Sequence, residues 1–139
     1  DEKMRIKPLV KMLRAGVLAL LMFIQGTAFA TGGADVLDVE ARQTAPETWY
    51  FSVTIAHPDT GWDHYVDGWD VLLPDGSVVK PSAGEQFTRT LVHPHVNEQP
   101  FTRSQGGVKI PADVKRVTVR AHIKPDGYIG KTIEVDVTP

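Results

Sequence analysis

The 139 residues contain no cysteine. That absence excludes a disulfide framework, a thiolate metal site, a cysteine nucleophile and a lipid-modified N-terminal cysteine. It leaves export open, because a domain of ~100 residues buries a sufficient core without disulfides. Helical spacing is also missing: after Ala30 no ten-residue stretch repeats its apolar residues at intervals of three and four. A nucleophile elbow and a phosphate-cradling Gly-rich loop are both absent. Long apolar runs are scarce. The one present, Ala15 to Ile24, is about ten residues long, half of the ~20 that a membrane span needs.

That run lies between a basic region (Arg5, Lys7, Lys11, Arg14) and Thr27-Ala28-Phe29-Ala30, whose small residues stand at 28 and 30. Basic, apolar and A-x-A segments in this order read as a secretory signal peptide over 1–30, cleaved after Ala30. The mature part, 31–139, then keeps 10 of the 15 basic and 15 of the 17 acidic residues, a net charge of −5. A nucleic-acid partner needs a basic stripe to neutralise phosphates, and anionic lipid needs the same. Neither is expected. The expected location is periplasmic or secreted, with no membrane span after cleavage.

Period-two alternation dominates the chain after Ala30. Ala34 to Ala41 sets Leu37, Val39 and Ala41 against Asp38 and Glu40. Arg42 to Glu47 reads as a turn. Trp49, Phe51, Val53 and Ile55 share the inner face of a strand that His57 continues and Pro58 ends. Trp69, Val71 and Leu73 make the next inner face. Pro74-Asp75-Gly76 is a turn, with Ser77 to Val79 as the start of a return strand. Gln86 to Val92 alternates again, with Phe87 and Leu91 on one side. Phe101 to Ser104 reads as a short strand broken by Gly106-Gly107. Val117, Val119, Ala121 and Ile123, then Ile133, Val135 and Val137, complete the pattern around a turn at Pro125-Asp126-Gly127. Short strands at this spacing predict one all-β domain over 31–139, an immunoglobulin or fibronectin type III-like sandwich of about seven or eight antiparallel strands.

Two segments stand apart from ordinary loops. His57 to Asp70 packs two Trp, one Tyr, two His and four Asp together, and His93 to Arg103 echoes it. Connecting loops are usually rich in Gly, Ser and Asn instead. The motifs Gly61-Trp62-Asp63-His64-Tyr65-x-Asp67-x-Trp69 and His93-Pro94-His95-Val96-x-Glu98-Gln99-Pro100-Phe101-Thr102-Arg103-Ser104 resemble those of a family of small uncharacterised secreted proteobacterial proteins. The resemblance covers Trp49 to Val137. It implies export and a single β domain, and it implies no activity. The family pattern often carries a His before the Gly of the 125–127 turn, where this chain has Asp126.

Read as chemistry, the segments offer several uses. His57, His64, His93 and His95 would converge if both loops lie at one end of the sandwich. Neutral imidazoles suit copper or zinc, copper first given the envelope location. His93-x-His95 sets both rings on one side of an extended segment, and Asp63 would orient a ring from behind. Asp59, Asp63, Asp67 and Asp70 are a possible calcium set, although their spacings of four, four and three do not match a ligand loop. Asp63, His64 and Ser104 can be drawn as a triad, which any His-containing protein allows. A purely structural reading has Trp62 and Trp69 plugging the sandwich end and Arg103 paired with Glu98 or Asp67. An interaction reading has Trp62, Tyr65, Trp69, Glu98, Phe101 and Arg103 meeting a partner. The expectation is therefore an exported, non-enzymatic accessory or binding protein, its partner an envelope protein or a metal ion. The leading form has a His-based copper or zinc site and the alternative is a metal-free interaction or structural module.

Overall fold

A computed structural model describes residues 32–139. The signal-peptide expectation lies outside the described residues. Seven strands and no helix are present among them: β1 (Asp35–Ala45), β2 (Thr48–Ala56), β3 (Tyr65–Leu72), β4 (Arg89–Thr90), β5 (Phe101–Lys109), β6 (Arg116–Lys124) and β7 (Ile133–Asp136). A three-stranded sheet, β1-β2-β5, faces a four-stranded sheet, β4-β3-β6-β7. All pairings are antiparallel. β2 and β5 are neighbours although β3 and β4 intervene in the chain, which is a Greek-key crossing between layers. This is the two-sheet antiparallel β-sandwich, immunoglobulin or fibronectin type III-like, that the alternation predicts.

The core is the set of residues the alternation turns inward. Phe51, Val53 and Ile55 of β2, Val66, Trp69 and Val71 of β3, and Val117, Val119, Ala121 and Ile123 of β6 are all buried. Each large apolar side chain removed from water contributes ~1.5–3 kcal/mol, so the two inner faces hold the sheets together. Val108 and Ile110 seal one end, and Ala34, Val36 and Val137 pack against the same cluster.

Five local readings are corrected, each by backbone geometry. A bulge between Val36 and Asp38 shifts the register of β1, so Val36 points inward and Leu37 is exposed. β1 runs on through Arg42 to Ala45, and the reversal is confined to Pro46 and Glu47, where Glu47 takes φ 55°. Gly106 and Gly107 do not break β5. They lie opposite the shift between Trp49 and Phe51, and Gly107 supplies the left-handed φ of 64° that this bulge uses. Ser77 to Val79 forms only an isolated bridge, Leu72 to Val78, and β4 shrinks to two residues.

Register also decides which loops meet. Ile55 of β2 pairs with Phe101 of β5, and Tyr65 of β3 pairs with Lys124 of β6. The end of β2, the start of β3, the start of β5 and the end of β6 therefore share one end of the sandwich. That end gathers loops 57–64, 91–100 and 125–132.

Candidate functional site

The centre of this end is Asp59. Its side chain is fully buried, and its contacts tie the 57–64 loop to β3 and to the second motif loop. Oδ1 lies 2.5 Å from His57 Nδ1 and accepts the backbone N–H of Val66 at 3.2 Å. Oδ2 accepts the backbone N–H of His95 at 2.8 Å. Gln99 adds a second stitch: its Oε1 accepts from the His57 backbone N–H at 3.0 Å, and its Nε2 donates to the His95 carbonyl at 2.9 Å. A buried carboxylate is tolerated only when its lone pairs are filled by donors. Here three donors come from three segments of chain, so the first and second motif loops form one unit.

The imidazoles are arranged around that carboxylate as two pairs. His64 meets the edge of His57 at 4.9 Å between ring centroids, and His93 lies 4.6 Å from His95. His57 and His95 are buried, at 2% and 4% exposure. His95 is stacked flat on Phe101 at 3.9 Å and 6°. Burial, then Arg103 and His93, hold the His95 pKa below the usual imidazole range, which keeps the ring neutral at pH 7. His57 Nε2 and both ring nitrogens of His95 are buried with no hydrogen-bond partner among the described residues. His95 Nδ1 is 3.8 Å from Asp59 Oδ2, too far for a hydrogen bond. A buried donor or acceptor left unmet costs about 1–3 kcal/mol, and such groups in a native fold call for a water, an ion or a chemical role.

The expected four-imidazole convergence is thus met only in part. The two loops do come together and both ring pairs border Asp59. Among the described residues, however, no group of three or more His, Asp or Glu is placed to hold a metal ion. His64 Nε2 is 3.0 Å from Asp126 Oδ2, and the exposed His93 has Nδ1 3.0 Å from the Pro94 carbonyl. Asp63 does not orient His64. It is exposed, and Asp126, from the 125–127 turn, takes that place. The Asp63–His64–Ser104 triad loses its first link for the same reason.

The remaining acidic residues of the motif are spent separately rather than gathered into a calcium set. Asp67 Oδ1 is 2.5 Å from His122 Nδ1. Asp70 is fully buried and accepts from Tyr128 Oη at 2.6 Å, Arg120 Nε at 3.2 Å and the Thr88 backbone N–H at 3.3 Å. The Arg120 guanidinium lies over the Tyr128 ring at 3.5 Å. Burial first, then the Asp70 carboxylate, pushes the Tyr128 pKa up to about 12.

The interaction set is also redistributed. Trp69 and Phe101 are core residues, at 0% and 1% exposure, because strand alternation turns them inward, and Tyr65, next to the inward Val66, is buried to 8% exposure. Trp62 does not plug the sandwich. It is 63% exposed and rests edge-on against Tyr65 at 5.7 Å. Arg103 grips Glu98 through both nitrogens, at 3.0 and 3.4 Å, as the pairing with Glu98 anticipates. Three residues that matter here escape a reading of the sequence as site residues, Gln99, Asp126 and His122, and Asp59 enters that reading only as a calcium candidate and not as the hub. For Asp59 a signal exists, since a carboxylate two residues after a strand-ending His, with Pro between, sits where it can fold back on that ring. For Asp126, 62 residues from His64, only the register reveals it.

No family model and no solved structure matches this chain. Over 104 residues it is 36% identical to a protein of Halomicrobium mukohataei that bears the name "Putative lipoprotein". The match covers 74% of this chain and 47% of that protein, so the chain spans about half the length of the curated relative it matches.

Proposed function

We propose that the chain is an exported, non-enzymatic accessory or binding protein of the cell envelope, periplasmic or secreted, and that it binds through the two-loop end. In this reading the bound species is copper or zinc, held by imidazoles. The observation that carries it is the set of unpartnered, buried ring nitrogens on His57 and His95 beside Asp59. Metal-bound imidazoles commonly donate their other ring N–H to a carboxylate, and Asp59 stands in that relation to His57. Export is supported by the name of the Halomicrobium mukohataei relative, by the basic-apolar-small order of 1–30, and by the resemblance of both motifs to small secreted proteobacterial proteins. What carries over from that name is export, since none of these 139 residues offers a thiol for a lipid.

The test uses the chain without a His tag. It is incubated with one equivalent of Cu(II) or Zn(II), and metal is measured after desalting. Retention that disappears in the His93→Ala/His95→Ala double variant supports the reading. Retention no higher than that of a tag-free β-sandwich control sinks it.

One observation favours a metal-free second reading, an interaction module: Trp62 is exposed on the same loop, and Trp is the residue type most enriched at interface hot spots. Under that reading no metal is retained, and Trp62 emission shifts to the blue when the chain meets an extract of its own envelope.

A further inference from the structure

We infer that the outer edge of β1 is a self-association surface. A second copy of this chain adds its own β1 there in antiparallel fashion, joining two three-stranded sheets into one of six strands. An edge strand presents a row of unpaired N–H and C=O groups that invites such an addition unless the edge is short, covered or blunted. Among the described residues the other three sheet edges are protected. β4 has two residues and β7 four, and Arg89 of β4 reaches the β5 edge at the Ser104 carbonyl, 2.9 Å away. β1 has eleven residues with no Pro and no Lys among them, and it pairs with β2 on one side only. The 129–131 segment covers its start, where the Ala34 and Val36 N–H groups donate to the Ile129 and Lys131 carbonyls. Past Val36 no further backbone bond is made on that side among the described residues.

Register fixes which backbone groups face out. Val36 turns its N–H away from β2. Asp35 pairs with Ala56 and, past the bulge, Asp38 pairs with Thr54. Ala56 and Thr54 stand two residues apart on one strand and so face the same way. Asp38, Glu40 and Arg42 therefore bond β2, and Val39, Ala41 and Gln43 turn their N–H and C=O groups outward. The second register shift, between Gln43 and Ala45, ends this run. The charges then choose one alignment. Asp38, Glu40 and Arg42 are all exposed. A two-fold axis at Glu40 would set that residue opposite its own copy, and an axis at Arg42 would do the same for the cation. Like charges directly opposite each other are unfavourable. An axis at Ala41 instead sets each Glu40 opposite the second copy's Arg42, while Ala41 pairs with Ala41 and Val39 with Gln43. Glu40 and Arg42 then occupy pairs without backbone bonds, where side chains stand closest. The Arg42 guanidinium already lies over the Tyr50 ring, 4.8 Å from its centre, which holds it on the shared face. Such a contact uses the same patch on both copies and closes at two chains.

The test is sedimentation equilibrium of the untagged chain from low to several hundred micromolar, with a chelator present so that no metal bridges two copies. The ladder is short, so the expected result is a weak dimer that grows with concentration. Glu40→Arg and Arg42→Glu should each weaken association by more than about fivefold, because each sets like charges opposite one another. Mixed one to one, the two variants should associate although neither does so well alone. The double variant Glu40→Arg/Arg42→Glu should recover the parent's dimer, since the exchange keeps unlike charges across the axis. Amide exchange at Val39, Ala41 and Gln43 should slow as the concentration rises. A chain that stays monomeric over the whole range overturns the inference. A dimer equally strong in both single variants lies on another surface and overturns it, as does a mass that grows past two chains. Association recovered neither in the mixture nor in the double variant overturns it too. These outcomes leave the metal reading of the two-loop end untouched, and failure of that reading leaves the β1 contact standing.

Discussion

Asp59 and Asp63 lie four residues apart in the same loop, yet their predicted effects differ widely. Asp59→Ala removes the acceptor for three donors and leaves His57 Nδ1 and two backbone N–H groups unmet. Removing one partner of a buried charged network costs about 3–5 kcal/mol, to be read as a drop in the urea midpoint. Asp63→Asn, at an exposed position, should stay within about 0.5 kcal/mol of the parent. Gly68 is a second single-residue test. A Cβ there would fall 2.3 Å from the Phe87 ring, so Gly68→Ala should destabilise by about 1–3 kcal/mol through overpacking. Gly68→Ala/Phe87→Leu should recover part of that loss; equal loss in both would place the cost in the backbone instead. Residue types are informative about which loops to watch. They cannot say which of four Asp is buried, because Asp59, Asp67 and Asp70 acquire partners from β3, β6 and the loops only after folding.

At the scale of elements, the inner faces of β2, β3 and β6 are legible because apolar alternation and burial are the same constraint seen twice. Bulges are not. They add one residue to one strand and leave no composition signal, so alternation alone turns Leu37 the wrong way and cuts β5 short. Gly107 is the exception, since a glycine pair inside a strand is a bulge signal as readily as a break. Its φ of 64° makes a prediction: Gly107→Ala should cost about 1–2 kcal/mol by forcing a left-handed conformation on an L side chain. Gly84, which has φ outside that region and open space around it, should accept Ala at little cost. Thermal melts of the two variants compare them directly.

The molecule as a whole should show its buried groups as a pH profile. His95 is held below its ordinary pKa by burial, so the unfolded chain binds its proton more readily. Stability from this group is full above about 6.5 and is lost as pH falls below that value toward the lower folded pKa. In chelator-treated protein the urea midpoint should decline from pH 7 to pH 5, and His95→Gln should flatten that decline. A second decline, below about pH 4, should follow from Asp75, Glu98 and Asp136, whose pKa values their hydrogen bonds lower. At the alkaline end Tyr128, raised to about 12, should be missing from the ultraviolet phenolate titration near pH 10 and appear two units later. Tyr128→Phe should remove that late step.

The binding proposed for the two-loop end turns on one ring nitrogen of His57. Asp59 Oδ1 faces His57 Nδ1 at 2.5 Å, and His57 Nε2 is buried without a hydrogen-bond partner among the described residues. Nitrogen-15 NMR of the imidazoles reads this directly in the metal-free chain near pH 7. The predicted result is a His57 ring proton on Nδ1, shifted downfield by Asp59, with Nε2 unprotonated. A His57 ring protonated on both nitrogens, or on Nε2 alone, would contradict it.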